Sequence, residues 1–346
     1  MTDTAFFGAG GSHAFRAALL AWYARGHRAM PWRDTADPYR IWLAETMLQQ
    51  TTVAAVVPYY ARFLARFPTL AALAAADIQD VLALWQGLGY YRRAHLLHAC
   101  ARTVMTEHGG HFPATEDSLR ALPGFGPYTA AVVAACAFGQ PANVVDGNVE
   151  RVVARVFRHL NPLPRAKPVL RAHAATLVDG LAAGAEATAY ANAIMELGSQ
   201  VCVPKAPLCM VCPVAAFCAA HAHGDAADYP RKDRKKETPT KRGIAWVLRG
   251  PANTLLLRQR PARGLLGGLW EVPHHGWEPA RWAPPADTPA QDAGTVTHVF
   301  SHFRLELEVR VAELEAPAEA GQWFGVDHLP PLSTLMRKVV DKALAS

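Results

Sequence analysis

The chain is poor in charge. Lys, Arg, Asp and Glu make up 18% of its 346 residues while apolar residues make up 51%. That balance excludes wholesale disorder and leaves material for a sizeable core. It also lacks any long apolar run. No uninterrupted stretch approaches the roughly 18 residues that a membrane-spanning helix needs. Met1 to Ser12 carries Asp3 and no basic segment, so a soluble, unexported cytoplasmic protein without membrane association is expected. Six cysteines are too few for a disulfide scaffold in a chain of this length. Acidic residues are in the minority: 35 Lys and Arg against 29 Asp and Glu leave a net charge of +6. This excess favours an anionic partner such as nucleic acid without specifying one. The length itself exceeds what one hydrophobic core organises, which predicts two or three domains.

From about Ala14 to His221, Ala, Leu and Val recur at three- and four-residue spacing, punctuated by Pro and Gly. The pattern predicts an all-α region with helices over 15–25, 38–60, 69–85, 94–108, 116–121, 128–138, 149–160, 170–180 and 187–197. Asp228 to Arg242 is dense in charge and proline and reads as a basic linker. Beyond it come short β-prone runs at 244–248, 254–258, 296–300 and 305–311, where apolar and polar residues alternate. The expected organisation is an all-α domain over 1–224, a linker over 225–242 and an α+β domain over 243–346.

Four cysteines fall within 17 residues, Cys202, Cys209, Cys212 and Cys218, with the spacing C-x6-C-x2-C-x5-C. One short loop can bring four such thiolates around a single metal centre in a reducing compartment. Zinc sites more often use two C-x2-C pairs, which this asymmetric spacing does not have. Cys100 and Cys136 stand alone in helical patterns and read as core thiols.

Leu122-Pro-Gly-Phe-Gly-Pro-Tyr-Thr-Ala130 lies between two helical stretches. Gly124 and Gly126 in a tight turn that opens a helix let backbone N–H groups approach a phosphate, and the helix N-terminus adds a favourable partial charge. An ordinary helix–helix turn also needs Gly for its φ angles, so the hairpin alone leaves both readings open. Eighteen residues past Tyr128, Asp146 follows an apolar run and precedes a helix, the position of an N-cap that accepts from Asn148 or Val149. On the helix that Pro38 opens and that is expected to run through Gln50, Glu45 shares a face with Ile41 and Leu48. A carboxyl on an apolar face is either a satisfied interior group or one whose raised pKa keeps a proton ready for transfer.

L-P-G-x-G-x-x-T-A, V-D-x-N-V and the four-cysteine loop, in this order, resemble the helix-hairpin-helix base-excision glycosylases of the endonuclease III superfamily, over most of residues 20 to 220. The resemblance implies one [4Fe-4S] cluster on the four cysteines, one that folds the loop without redox chemistry. Bifunctional members carry a nucleophilic Lys where this chain has Tyr128, which cannot form an imine. The chain is therefore expected to be monofunctional. Glu45 to Thr51, together with the additional C-terminal domain, resembles the adenine-specific branch of the superfamily, whose substrate is double-stranded DNA with adenine opposite 8-oxoguanine or guanine. The implied roles are Glu45 as general acid and Asp146 as stabiliser of the sugar cation, with Tyr128 and Asn148 in support. Arg28, Trp32, Arg33, Leu48 and Glu196 would line an adenine pocket. Gln50, Thr51 and Tyr90 would wedge near the orphaned partner base, and Gly124 and Gly126 would hold the DNA backbone. Thr52 stands where a basic residue is common in relatives, which removes one expected phosphate contact. A monomer is expected.

Gly264 to Pro273 and the later strands resemble the Nudix-like domain of the same branch. A Nudix hydrolase needs an R-E-x-x-E-E helix to hold magnesium. After Gly268 this chain instead has Glu271 and Glu278 amid Pro, Trp and His residues, so the domain is expected to bind and not to hydrolyse. Phe300, Ser301 and His302 resemble the loop that inspects 8-oxoguanine, although His298 and His302 also suit ordinary strand positions.

Overall fold

A computed structural model describes residues 11–233, 238–262, 264–278, 284, 288–313 and 320–346. Two compact units divide the chain. One draws on Met1–Tyr60, Thr69–Ala74 and Ala99–Lys235, the other on Ala61–Pro68, Ala75–His98 and Lys236–Ser346. The second unit thus takes two helical segments from the first hundred residues in addition to the C-terminal hundred. Gln79 Nε2 donates to Gly268 O at 3.4 Å and His95 Nε2 lies 2.9 Å from Gly267 O within it.

Helices come first: α1 (Gly11–Ala24), α2 (Pro38–Leu48), α3 (Val53–Arg66), α4 (Leu70–Ala74), α5 (Ile78–Trp85), α6 (Arg92–Glu107), α7 (Glu116–Arg120), α8 (Pro127–Phe138), α9 (Gly147–Val156), α10 (Lys167–Val178), α11 (Ala185–Gln200) and α12 (Ala219–Ala222). No described residue before Thr240 belongs to a strand. Two helices expected as continuous are broken. The run over 38–60 stops at Leu48, Gln50 takes a left-handed φ of 60°, and α3 restarts behind Thr52. The Thr52 hydroxyl accepts from Ala55 N, the bond of an N-cap residue that competes with helix continuation. The run over 69–85 breaks for the same reason, because Asp77 accepts from Gln79 N at 2.7 Å and caps α5.

In the first unit α1, α9, α10 and α11 share a core of Phe15, Leu19, Val152, Val153, Leu170, Leu177, Ile194 and Leu197 among others. The helix α9 is buried from Val149 to Val156. So is α2 from Ile41 to Met47. Glu45 is buried, as the face it shares with Ile41 and Leu48 implied, and the burial extends to every residue from Ile41 to Met47.

The second unit holds β1 (Thr240–Gly250), β2 (Thr254–Gln259), β3 (Trp270–Glu271), β4 (His274–His275), β5 (Gln291–Val299), β6 (Arg304–Glu313), β7 (Gln322–Gly325) and α13 (Thr334–Leu344). The mixed sheet runs β3-β2-β1-β6-β5, with β1 and β6 parallel over ten residue pairs and β5 and β6 antiparallel. Leu335, Met336, Val339 and Val340 of α13 pack on Val247, Leu257, Leu305, Leu307 and Val309 of the sheet. The alternation read in the sequence is this inward face.

The polar run over 228–242, expected as an unpacked linker, is ordered at both ends. Tyr229 is buried, Leu163 N donates to Arg231 O while Asp233 N donates to Leu163 O, and Thr240 to Arg242 already pair with β6. Residues 234–237 lie outside the described residues.

Just past α9, His159 is 4% exposed and neither ring nitrogen has a hydrogen-bond partner. It meets the edge of His173, which stacks on Phe157 at 4.3 Å. Burial lowers the pKa of both imidazoles. The unfolded chain titrates near the ordinary value of about 6.5, so it binds protons first as pH falls. Stability is full above that value and is lost below it. The urea midpoint is expected to drop between pH 7.5 and 5.5, and His173→Phe, which keeps the stack, is expected to shrink that drop. An equal drop in both proteins refutes the assignment.

Candidate active site

A cavity of about 650 Å³ opens in the first unit, and Glu45, Tyr128, Asp146 and Asn148 all line it. Glu45 is carried in on α2 and is 6% exposed. Its Oε2 accepts from the Tyr128 hydroxyl at 2.7 Å. Burial pushes this carboxyl up to about 7; the Tyr128 hydrogen bond and Arg33 oppose the rise, and the Asp146 charge adds to it. Burial and the neighbouring Glu45 likewise hold the Tyr128 hydroxyl well above its usual range, so it stays a donor.

Asp146 is only half-buried and is the N-cap of α9. Asn148 N and Val149 N donate to its Oδ1 at 2.9 and 2.7 Å, and Asn148 Nδ2 donates to Oδ2 at 2.8 Å. The cap expected from sequence is formed, with both oxygens engaged as acceptors. Arg151, which sequence reading missed, holds the arrangement from beneath. Its guanidinium donates to Asn148 Oδ1 at 3.0 Å, Gly198 O at 2.6 Å and Cys202 O at 2.7 Å. Here α9 and α11 touch so closely that a Cβ on Gly198 would lie 2.8 Å from Asn148 Cβ.

Arg28, Trp32, Arg33 and Leu48 line the cavity. Glu196 lies behind this wall and orients it, accepting from Arg28 Nε at 2.9 Å and from Arg28 Nη2 and Arg33 Nη2 at 2.8 Å each. Burial alone would raise the Glu196 carboxyl, but the bonds and charges of Arg28 and Arg33 outweigh it and hold it at about 2. Arg33 therefore pairs inside the protein and not with Asp34 or Asp37. Sequence reading also missed Asn192, Met195 and Ser199 as wall residues. With Glu196 they fall at i, i+3, i+4 and i+7 of α11, a helical stripe visible in the sequence once one member is placed. Gln49, Lys167 and Arg171 complete much of the remaining wall.

Gln50 and Thr51 stand at the same cavity, raised by the left-handed turn that ends α2. In the hairpin before α8, Gly124 has φ of 80°, a conformation that requires glycine. Gly126, the N-cap of α8, has an ordinary φ of −90°, and a Cβ there would meet nothing. Its lack of a side chain leaves the helix N-terminus open to an approaching group.

Tyr90 belongs to the second unit, half exposed at φ 47°. Arg93 is buried beneath it, 5.6 Å from its ring and 5.3 Å from that of Trp85, and donates to Leu88 O and Gly89 O. The Tyr90 hydroxyl lies 2.7 Å from Ser301 Oγ. Ser301 and His302 form the exposed tip between β5 and β6, where Phe300 N donates to Phe303 O. Phe300 stacks on Phe303 at 4.7 Å and meets His298, a strand residue paired with Leu305.

Cys202, Cys209, Cys212 and Cys218 ring one small void and form no disulfide. Burial pushes the Cys212 thiol up to about 11 and that of Cys218 up to about 12. Arg155, 1% exposed, donates to Cys202 Sγ at 3.2 Å and to the carbonyls of Cys202, Val203, Pro204 and Tyr229. A buried cation aimed at sulfur fits a thiolate ligand better than a neutral thiol. Among the described residues no group of three or more His, Cys, Asp or Glu side chains is placed to hold a metal ion.

In the second unit Glu271 is bound by Arg258 Nε at 3.1 Å, by Arg260 and by His274 Nε2 at 3.1 Å, and Glu278 takes Arg260 Nη2 at 2.6 Å. Burial opposes the ionised form of Glu271, yet His274 and Arg260 lower its pKa. Both carboxylates are neutralised from within and are not free to hold magnesium.

Residues 43–172 match the HhH-GPD superfamily of base excision DNA repair proteins, and residues 244–342 match the NUDIX domain. A thermostable thymine-DNA glycosylase superposes with a TM-score of 0.54 at 27% identity, over 61% of this chain and 97% of that one. A trapped endonuclease III–DNA covalent intermediate shares the fold, with a TM-score of 0.51 at 21% identity, over 62% of this chain and 98% of that one. Fold and site thus define a helix-hairpin-helix base-excision protein with an appended Nudix-like domain. The chain is 36% identical to the human adenine DNA glycosylase over 94% of its own length and 73% of the relative's. It is 40% identical to that of Mycobacterium tuberculosis over 68% and 77%. It belongs to the adenine DNA glycosylase family.

The contact between α9 and α11 is directly testable. Gly198→Ala forces Asn148 aside and is expected to cost about 1–3 kcal/mol. Gly147→Ala, where a Cβ would meet nothing, is expected to leave stability unchanged or slightly raised. Urea unfolding of the two variants checks this, and equal midpoints contradict it.

Proposed function

We propose that the chain is a monofunctional DNA N-glycosylase that hydrolyses the bond between deoxyribose and an adenine mispaired with 8-oxoguanine or guanine, in base excision repair. One observation carries the reading: a buried Glu45 raised to about 7 and a half-open Asp146 with both oxygens engaged by N–H donors face one cavity. Glycoside hydrolysis needs such a pair, one carboxyl to deliver a proton and one carboxylate to meet the positive charge that develops on the sugar.

Flipping the adenine out of the duplex costs a few kcal/mol, less at a mispair. With the base in the cavity, Glu45 protonates adenine N7 so that it leaves neutral. Asp146 stabilises the oxocarbenium sugar, electrostatically or by transient attachment. Glu45, now a carboxylate, takes the proton of the attacking water. Tyr128 orients Glu45, and Asn148 orients Asp146. Tyr128 offers no amine, so no imine forms with the abasic sugar. Arg28, Trp32, Arg33 and Leu48 surround the base, with Glu196 bracing the two arginines. Gln50, Thr51 and Tyr90 fill the space left in the duplex, and Phe300, Ser301 and His302 read the partner base. The four cysteines are proposed to hold one [4Fe-4S] cluster, which when bound would tie the loop after α11 together and supply no redox step. The enzyme acts as a monomer on double-stranded DNA in the cytoplasm.

Glu45→Gln and Asp146→Asn are each expected to abolish single-turnover excision of adenine opposite 8-oxoguanine while duplex binding persists; substantial activity in either refutes its role. Because Glu45 acts as the acid, the rate is expected to fall as pH rises through about 7. Tyr128→Phe removes a hydrogen bond that favours the carboxylate, so the falling limb should move to higher pH. An unmoved limb argues against Glu45 as the titrating group. Ser301→Ala is expected to erode the preference for 8-oxoguanine over guanine opposite adenine, and an unchanged ratio of rates removes the reading role from that loop.

A further inference from the structure

The cavity that holds Glu45 and Asp146 has a cationic side that the glycosidic chemistry does not use. Lys167 and Arg171, one turn apart on α10, both line it. The other guanidiniums of this wall, Arg28 and Arg33, are committed to Glu196. Lys167 reaches Glu150 at 3.2 Å, and its side chain remains half exposed. Arg171 is exposed, and among the described residues it has no carboxylate partner. Its backbone is anchored, since Asn143 Nδ2 donates to Arg171 O at 2.9 Å. Arg171 also lines a second cavity of about 190 Å³ with Arg120, Glu116, Asn143 and Tyr128, so it stands where the two voids adjoin.

We infer that Arg171, assisted by Lys167, binds a DNA phosphate that flanks the extruded nucleotide. The inference rests on the reading of the large cavity as a nucleoside site. A nucleoside whose base lies by Glu45 and whose sugar lies by Asp146 brings its backbone phosphates to the cavity mouth, where an unpaired guanidinium offers a planar fork matched to phosphate oxygens. Beside the buried Glu150, the half-exposed Lys167 ammonium keeps donors free for a second anion. Neither residue belongs to the hairpin or wedge motifs, so this contact adds to the backbone grip expected there.

Binding of duplexes holding a non-cleavable 2′-fluoro adenosine opposite 8-oxoguanine tests the assignment, with each of the two flanking phosphates replaced in turn by a neutral methylphosphonate. At one of the two linkages the replacement is expected to weaken the wild-type protein several-fold and to leave Arg171→Ala unaffected, while Arg171→Lys retains part of the penalty. The slope of log affinity against log salt should be smaller by about 1 in Arg171→Ala. Equal penalties in wild type and Arg171→Ala at both linkages overturn the inference. Wild-type protein that does not distinguish this duplex from a fully matched one fails the nucleoside-site reading itself, and the phosphate contact falls with it.

Discussion

Ionising Glu45 means placing a negative charge on a buried stretch of helix, with one hydroxyl to receive it. That cost keeps its proton near neutrality, and the rest of the site is organised around the contrast. Asp146 meets the same cavity at a helix N-terminus, where backbone N–H groups without intrahelical partners are available to a carboxylate. Glu196 is as little exposed as Glu45, yet two guanidiniums hold it at about 2. Glu45 and Glu196 thus differ through what surrounds each of them, since their intrinsic acidities are alike.

Keeping those environments distinct demands rigid backbone. Gly198 lets α11 lie against α9, and Arg151 then joins Asn148, Gly198 and Cys202 through one guanidinium. The cysteine loop is drawn into the same scaffold by Arg155, which gathers four carbonyls and a sulfur. The order of the cysteine loop and the orientation of the Asp146 cap are therefore parts of one hydrogen-bonded structure.

In the C-terminal unit the Nudix-like sheet has the first two carboxylates after Gly268 already engaged. Glu271 and Glu278 meet arginines, which neutralise them and lock the β2–β3 corner. What the sheet presents outward is the β5–β6 tip, where Phe300 is fixed by aromatic neighbours and Ser301 and His302 are left exposed.

Features written in short stretches of chain were legible in the sequence: the helical first two hundred residues, the strands of the last hundred, the cap at Asp146, the hairpin glycine with its left-handed φ, and the four-cysteine loop. Each depends on local backbone preference or on residues within a few turns of one another. The break of α2 at Gln50 was also local, yet apolar periodicity concealed the capping signal of Thr52. The pairing of Arg33 with Glu196 was not legible, because a nearby Asp34 or Asp37 was an equally good electrostatic partner until the fold brought residues 163 positions apart within 2.8 Å. The same holds for Lys167 and Arg171, which no sequence motif singled out and which packing set on the wall with Glu45. Sequence determined which groups were available and which backbone conformations would carry them. Tertiary structure alone decided which carboxyl lost its water and which kept a partner, because desolvation and ion pairing depend on distances between residues far apart in the chain.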